Sequence, residues 1–175
     1  MDRYYAYIRV PSSTFRDEII AFEREYQGSS RSEPHITLWR PSILISECDE
    51  SKLIATLSEA VNGYGPFLVS TKRVGYFNGK QNVHYCIELS PELKLLYKKL
   101  NATATTISRE TGSFVGKHFH PHITLAQRIQ PEQGKKLYQL AKRAFVPYEF
   151  MCTEIWLMRI ESGQPKWQKV ASLPL

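Results

Sequence analysis

The chain has 175 residues, 42% of them hydrophobic and 12% aromatic, which is enough to build a packed core. Lysine and arginine exceed aspartate and glutamate by 23 to 17, and the net charge of +6 suits an anionic partner such as a nucleotide or RNA. The 3 cysteines lack a CxxC spacing, which argues against a disulfide framework or a cysteine zinc site. We find no signal peptide pattern and no apolar run near the roughly 20 residues of a membrane helix, so we expect a cytoplasmic protein without membrane attachment.

The first half of the chain alternates between strand-like and helix-like patterns. Aromatic and β-branched residues favour strands, apolar residues at helical spacing favour helices, and Gly and Pro mark the ends. The pair Asn78-Gly79 is a strong hairpin signal. In order, we predict a strand at Tyr4 to Val10, a helix from Thr14 that ends before Gly28, a strand at Pro34 to Arg40, a helix at Ser51 to Asn62, and strands at Phe67 to Val74 and Asn82 to Leu89.

The second half starts with the strand at Asn82 to Leu89 and repeats the order strand, helix, strand, helix, strand. In order, we predict a helix from Pro91 that ends at Gly112, a strand at Pro121 to Leu125, a helix at Pro131 to Phe145, a strand at Tyr148 to Ile160 and a terminal strand near Trp167 to Val170. This duplication predicts an α+β fold of two lobes related by a pseudo-twofold axis, with two antiparallel sheets that face a central cleft and helices outside. We expect residues 1–175 to form one domain of two intertwined lobes.

The sequence Pro-His-Ile-Thr-Leu occurs twice, starting at Pro34 and again at Pro121. Side chains alternate across a strand, so each copy presents one imidazole and one hydroxyl on the same polar face. The polar pairs are His35 with Thr37 and His122 with Thr124. The repeat therefore predicts two matching His-Thr pairs that face each other across the cleft.

The same alternation adds further side chains to the polar face. Tyr5 and Tyr7, which we match with His84 and Cys86 of the second half, are expected there, as are Trp39, His118, His120 and Arg128. Among these we select Tyr5, Tyr7 and Trp39 to stack on a base, and His120 and Arg128 to bind the anionic part of the substrate.

Two histidines across a cleft suit metal-free hydrolysis of a phosphodiester. One imidazole removes a proton from water while the other gives a proton to the leaving oxygen, and each transfer contributes about 10²–10⁴ in rate. Thr37 and Thr124 are placed to hydrogen-bond the non-bridging phosphate oxygens. Because Glu33 lies near His35 and basic groups lie near His122, we predict that His35 is the acid and His122 the base.

At these motifs the sequence resembles the two-histidine (2H) phosphoesterase superfamily, in its bacterial 2′–5′ RNA ligase-like and cyclic phosphodiesterase branch. The resemblance rests on His35-Ile36-Thr37 and His122-Ile123-Thr124 and extends over nearly the whole chain. It implies a catalytic pair His35 and His122, phosphate ligands Thr37 and Thr124, and a substrate that is a nucleotide or RNA with a cyclic phosphate. It implies no cofactor and no metal, and we expect a monomer. Many relatives have Arg directly after the second motif's Leu-Ala, where this chain has Gln127.

Two other functions stay open at this stage. His118, His120 and His122 alternate and could share a strand face as zinc ligands, which would define a metal enzyme but would leave the copy at His35 unexplained. The aromatic residues and the basic charge also fit a non-catalytic protein that binds a nucleotide or RNA in the same cleft.

Overall fold

A computed structural model of the chain describes residues 1–27, 33–77, 82–109, 119–164 and 166–175. The elements in these ranges are β1 (Arg3–Arg9), α1 (Thr14–Gln27), β2 (His35–Leu44), α2 (Glu50–Val61), β3 (Phe67–Phe77), β4 (Asn82–Ile87), α3 (Pro91–Ile107), β5 (Ser108–Arg109), β6 (His122–Ala126), α4 (Pro131–Ala144), β7 (Glu149–Cys152), β8 (Glu154–Ile160) and β9 (Gln168–Pro174). The expected hairpin turn at Asn78-Gly79, as well as Gly112 and His118, lies outside the described residues. The helix predicted to end at Gly112 already ends at Ile107, after which β5 begins. No helix within the described ranges is long and apolar enough to cross a membrane.

The strands form one curled antiparallel sheet in the order β7-β3-β4-β6-β2-β1-β8-β9, with the short β5 paired to β2. The central neighbours β2 and β6 carry the two copies of Pro-His-Ile-Thr-Leu and are joined by the pair Ile36–Ile123. The predicted α+β class and its pseudo-twofold order are confirmed. The two predicted sheets meet at this pair, and we call them the first half-sheet (β2, β1, β8, β9) and the second half-sheet (β6, β4, β3, β7).

The strand predicted at Tyr148 to Ile160 is divided into β7 and β8, which lie in different half-sheets. Burial changes phase between them, since Phe150 and Cys152 are buried in β7 while Ile155 and Leu157 are buried in β8. A single strand cannot bury residues of both phases on one face. The chain therefore leaves the second half-sheet after Cys152 and joins the first.

All four helices in the described ranges pack on one face of the sheet, where they cover a single large apolar core. Helix α1 packs on β6 and α4 on β3 and β4, whereas α3 packs on β2 and α2 on α3 and β9. The predicted start of α3 is confirmed: Ser90 accepts a hydrogen bond from the Leu93 N–H and Pro91 follows in the first turn. The polar sides of the two motifs lie on the opposite side of the sheet, which we call the open face.

Each motif contains a β-bulge at its final leucine. Tyr7 pairs with Thr37 but Ala6 pairs with Trp39, so Leu38 is an extra residue in β2. The bulge turns Trp39 into the core, where only 4% of it is exposed. The placement of Trp39 on the polar face was therefore wrong, because strict alternation does not hold across a bulge.

The second motif has the same irregularity. His84 pairs with Thr124 but Val83 pairs with Ala126, so Leu125 is the extra residue in β6. The strand ends at Ala126, and Arg128 lies beyond it in an exposed bend with φ of 58°. The alternation argument therefore does not reach Arg128, because it was extended past the bulge and the strand end, and the role of Arg128 in substrate binding stays a prediction.

Candidate active site

The two motifs form one quartet at the centre of the open face. The pair Ile36–Ile123 puts His35 beside Thr124 and Thr37 beside His122 in the antiparallel register. The two histidines are then diagonal neighbours. The Cα atoms of such neighbours are typically about 7–8 Å apart. At this spacing we expect one phosphate to fit between two imidazoles and two hydroxyls.

Both motif histidines are held by the same backbone contact. Nδ1 of His35 lies 2.7 Å from the carbonyl oxygen of Glu33, and Nδ1 of His122 lies 2.9 Å from the carbonyl oxygen of His120. A carbonyl oxygen only accepts, so each Nδ1 carries the proton and donates it. In the neutral imidazole Nε2 is then the bare, basic nitrogen, and in the imidazolium it carries the acidic proton.

His35 lies against two buried tyrosines. Its ring centroid is 4.6 Å from that of Tyr7 and 5.9 Å from that of Tyr5. Desolvation lowers the pKa of His35, a hydrogen bond to the Glu33 carbonyl opposes the shift, and the charge of His122 lowers the pKa further. The two imidazoles are thus near enough for the pKa of His35 to respond to the charge of His122.

Glu33 raises the pKa of His35, as predicted, but burial outweighs this effect and the net shift is downward. Its carboxylate accepts hydrogen bonds from Arg9 Nε and, at 3.0 Å, from Arg16 Nη2. These two guanidinium groups offset part of the carboxylate charge that acts on the imidazole. Only a minor upward influence of Glu33 remains beside the larger effect of burial.

His122 lies against a third histidine and a phenylalanine. The ring centroids of His84 and Phe77 are 5.0 Å and 5.3 Å from that of His122, and Phe77 stacks on His84 at 4.1 Å. His84 is 2% exposed, and desolvation followed by the charge of His122 lowers the pKa of His84 to about 4. His84 is therefore neutral near pH 7.

The surroundings of the quartet break its symmetry. Tyr7 pairs with Thr37 and with Trp156, while His84 pairs with Thr124 and with Gly75. Tyr7 thus corresponds to His84, two residues away from the match expected from the sequence. The first half-sheet therefore has the indole of Trp156 at the position where the second has Gly75, which has no side chain.

A groove on the His122 side occupies the space that Gly75 leaves. Its volume is about 570 Å³, within the usual range for ligand sites, and its lining includes Arg73, Phe77, His84 and His122. A Cβ atom at Gly75 would overlap Nε2 of His84 and lie 2.7 Å from Sγ of Cys86. Glycine is needed here because any side chain would fill the groove or displace His84.

The His35 side is an aromatic wall instead. Trp167 packs edge-on against Tyr5 at 4.4 Å between centroids, and Trp156 lies 6.1 Å from Tyr7. Lys169 Nζ lies 3.8 Å from the centroid of the Trp156 ring. The quartet thus has a cationic group on each side: Lys169 on the aromatic side and Arg73 in the groove.

Sequence reasoning placed some of the outer residues well and missed others. Tyr5 and Tyr7 lie beside His35, and His120 lines the groove, so they stay predicted substrate contacts. Trp39 lies in the core instead, and Arg128 stays a predicted contact beyond the end of β6. The sequence did not predict Gly75 and Trp156 as site residues. Their matching positions become visible only when the strand registers of the two half-sheets are compared.

The alternating histidines do not form one strand face. β6 begins at His122, so His120 precedes the strand, and His118 lies outside the described residues. In the ranges that the structure describes, no cluster of three or more His, Cys, Asp or Glu side chains has the geometry to hold a metal ion.

The chain is therefore a protein of the class that carries two His-x-Thr motifs on adjacent central strands of one curled sheet. Residues 11–164 match the 2'-5' RNA ligase superfamily, and the chain belongs to this family. A Staphylococcus aureus (strain Newman) protein named "Putative phosphoesterase" is 23% identical over 171 residues, which are 95% of this chain and 95% of that relative.

Solved structures share the fold at low identity. Escherichia coli LigT complexed with 3'-AMP has a TM-score of 0.64 and 17% identity, covering 99% of this chain and 98% of LigT. TT0787 of Thermus thermophilus has a TM-score of 0.65 and 21% identity, covering 99% of this chain and 97% of the other. At these identities the likeness establishes the fold alone.

Proposed function

We propose that the protein is a metal-independent phosphodiesterase that hydrolyses 2′,3′-cyclic phosphates of nucleotides or RNA ends by histidine acid–base catalysis. The observation that carries this proposal is the central quartet, in which Nδ1 of His35 and of His122 is bound to a backbone carbonyl. In both rings Nε2 is then the nitrogen that exchanges a proton at the phosphate.

The reaction needs one bond to form and one to break at phosphorus. Nε2 of one histidine takes a proton from water, and the water oxygen bonds to phosphorus. The bond from phosphorus to one ribose oxygen breaks opposite to it, and Nε2–H of the other histidine protonates that oxygen. The product is a phosphate monoester with a free ribose hydroxyl, and exchange with solvent restores both histidines.

We assign the base to His35 and the acid to His122, the reverse of the sequence prediction. Burial lowers the pKa of His35, which favours the neutral imidazole that a base requires. His122 faces the groove, which offers space for the nucleoside whose oxygen leaves. The ribose oxygen then lies on the side of His122, and water enters on the side of His35.

The remaining groups stabilise charge on the phosphate. Thr37 and Thr124 lie on the open face as donors for the non-bridging oxygens, a contact typically worth about 10²–10³ in rate when a donor stabilises a developing oxyanion. Arg73 in the groove attracts an anionic substrate. The LigT structures complexed with 3'-AMP, ATP and NADP+ support a nucleotide ligand in a protein of this fold.

The direct test is turnover of 2′,3′-cyclic mononucleotides and of RNA ending in a 2′,3′-cyclic phosphate, each with EDTA present. RNA with a 2′–5′ linkage belongs in the same panel, because attack by a 5′-hydroxyl in place of water would form that linkage. We expect a phosphate monoester product that forms equally with and without EDTA. Turnover that EDTA abolishes and zinc restores would overturn the metal-free mechanism, and tight nucleotide binding without turnover would identify a binding protein instead.

A further inference from the structure

A short hydrogen-bond chain reaches from His84 to the second motif. Nδ1 of His84 lies 2.9 Å from Oδ1 of Asn82, and Nδ2 of Asn82 donates to Oγ1 of Thr124 at 3.3 Å. Asn82 and His84 are 7% and 2% exposed, so both side chains are held in place. The chain ends at a hydroxyl of the proposed phosphate site.

The direction of this chain is set by a backbone atom. Nδ1 of His84 also lies 3.4 Å from the carbonyl oxygen of Asn82 itself. A carbonyl oxygen can only accept, so Nδ1 carries the proton of His84. The same proton then requires the amide oxygen of Asn82 to face His84, which turns the amide N–H toward Thr124.

The direction of the chain also determines where the hydroxyl proton of Thr124 points. Its oxygen already accepts from Asn82, so the hydroxyl hydrogen is left to point at another acceptor. On the open face that acceptor is a non-bridging phosphate oxygen. We propose that Asn82 and His84 are positioning residues that make Thr124 a dedicated hydrogen-bond donor to the substrate phosphate, an inference that rests on the proposed phosphoesterase function.

The first half-sheet lacks this device. The register that matches Tyr7 with His84 puts Tyr5 at the position of Asn82, and both tyrosine rings pack against His35. The two threonines are therefore not equivalent. Only Thr124 receives an amide donor from a buried asparagine of the adjacent strand at these matched positions.

The test replaces the donor by an acceptor of the same shape. In Asn82→Asp the carboxylate accepts from His84 with one oxygen and from the Thr124 hydroxyl with the other, so the hydroxyl proton turns away from the substrate. We expect kcat/KM to fall by about a hundredfold, the loss typical of one oxyanion donor. In Asn82→Ala the Thr124 hydroxyl rotates freely, and we expect a loss of about threefold to tenfold.

A double-mutant cycle separates orientation from charge. In a Thr124→Val background, Asn82→Asp should cost less than about threefold, because no hydroxyl remains to be turned. An equal loss in both backgrounds would mean that the new carboxylate simply repels the phosphate, and the inference would be overturned. Asn62→Asp makes the same change at an exposed helix end and serves as the matched control for folding and general charge effects.

Two further measurements keep the outcome decisive. His84→Phe preserves a ring against Phe77 but removes the Nδ1 proton; it should lower kcat/KM in the wild-type background and have little further effect in Asn82→Ala. Affinity for 3′-AMP, measured by calorimetry on the same variants, should follow the same pattern without relying on turnover. If the wild type hydrolyses the cyclic substrate but Asn82→Asp matches Asn82→Ala in both measurements, the inference fails while the proposed function stands. If the wild type is inactive, the calorimetric cycle alone decides the inference.

Discussion

The imidazoles of His35 and His122 are held identically, each by a bond from Nδ1 to the carbonyl oxygen two residues earlier, at 2.7 and 2.9 Å. Proline at the intervening position, Pro34 or Pro121, has a restricted φ and no N–H, which favours the extended backbone on which this contact depends. The repeated Pro-His thus orients a nitrogen, and the repeated Thr completes each pair.

This relationship predicts the effect of replacing either ring by a side chain that preserves the bond. In His35→Asn and His122→Asn the amide N–H can donate to the same carbonyl, but no group replaces Nε2. We expect kcat on a 2′,3′-cyclic phosphate to fall by about 10²–10⁴ for each variant. The thermal midpoint should change little. A variant that keeps more than a tenth of wild-type kcat would remove that histidine from the mechanism.

The shape of the groove predicts a contrast between two glycines. A Cβ at Gly75 would overlap Nε2 of His84, whereas a Cβ at Gly65 meets nothing within 4 Å. Gly75→Ala should lower the free energy of unfolding by about 1–3 kcal/mol and reduce activity, because His84 must shift toward His122. Gly65→Ala should change stability by less than about 0.5 kcal/mol.

Denaturant titration and kcat/KM of the two variants check this contrast. An active Gly75→Ala protein of wild-type stability would show that His84 moves freely and that the groove is not part of the site. The comparison is informative because the added group is one methyl in each case.

Much of this arrangement was readable from the sequence, and the errors have a common cause. Exact repetition of Pro-His-Ile-Thr-Leu identified the central strands and the polar side chains on them, because alternation holds within such a short segment. It failed at Trp39, which follows a bulge at Leu38, and it does not extend to Arg128, which follows a bulge at Leu125 and the end of β6. A bulge is a property of strand pairing, and a single strand's sequence does not show it.

The direction of the pKa shift at His35 also depends on the fold. Glu33 stands two residues before His35 in the sequence, but its side chain binds Arg9 and Arg16. These partners come from β1 and α1, so their effect depends on how distant segments pack. Burial, which dominates the pKa shift of His35, is likewise a property of the folded surroundings.

Buried His84 predicts how stability depends on pH. Burial lowers its pKa from about 6.5 to about 4, so the unfolded chain binds a proton more readily than the folded protein. The stability due to its neutral form is fully present above pH 6.5 and is lost as the pH falls toward 4. The expected loss between pH 7 and pH 4 is roughly 3 kcal/mol from this residue.

Urea titrations at several pH values measure this dependence. His84→Phe cannot titrate, so its stability curve should be flatter than that of the wild type between pH 6.5 and 4. Parallel curves for the two proteins would show that the buried ring does not carry the effect.

The lowered pKa of His35 predicts the acid limb of kcat/KM against pH. A base must be neutral in the free enzyme, and burial against Tyr7 keeps His35 neutral below its ordinary pKa of about 6.5. The acid limb should therefore lie below pH 6.5. Tyr7→Phe retains the ring and should keep the limb in place, whereas Tyr7→Ala admits water and should move it upward. An acid limb that Tyr7→Ala leaves unmoved would assign it to another group.

The assignment of acid and base can be decided with a substrate whose leaving group needs no proton. In a cyclic phosphorothiolate, sulfur replaces one bridging ribose oxygen and leaves as a thiolate, while the nucleoside still occupies the groove. If His122 is the acid, His122→Ala should recover most of the about 10²–10⁴ that it loses on the oxygen substrate, and His35→Ala should recover little because water still needs a base. The 2′-sulfur and 3′-sulfur isomers are both assayed, since only the isomer with sulfur at the departing position reports on the acid. Rescue of His35→Ala alone would reverse the two roles and move the ribose to the aromatic side of the quartet. Rescue of neither variant with either isomer would mean that His122 acts on the phosphate by charge and not by proton transfer.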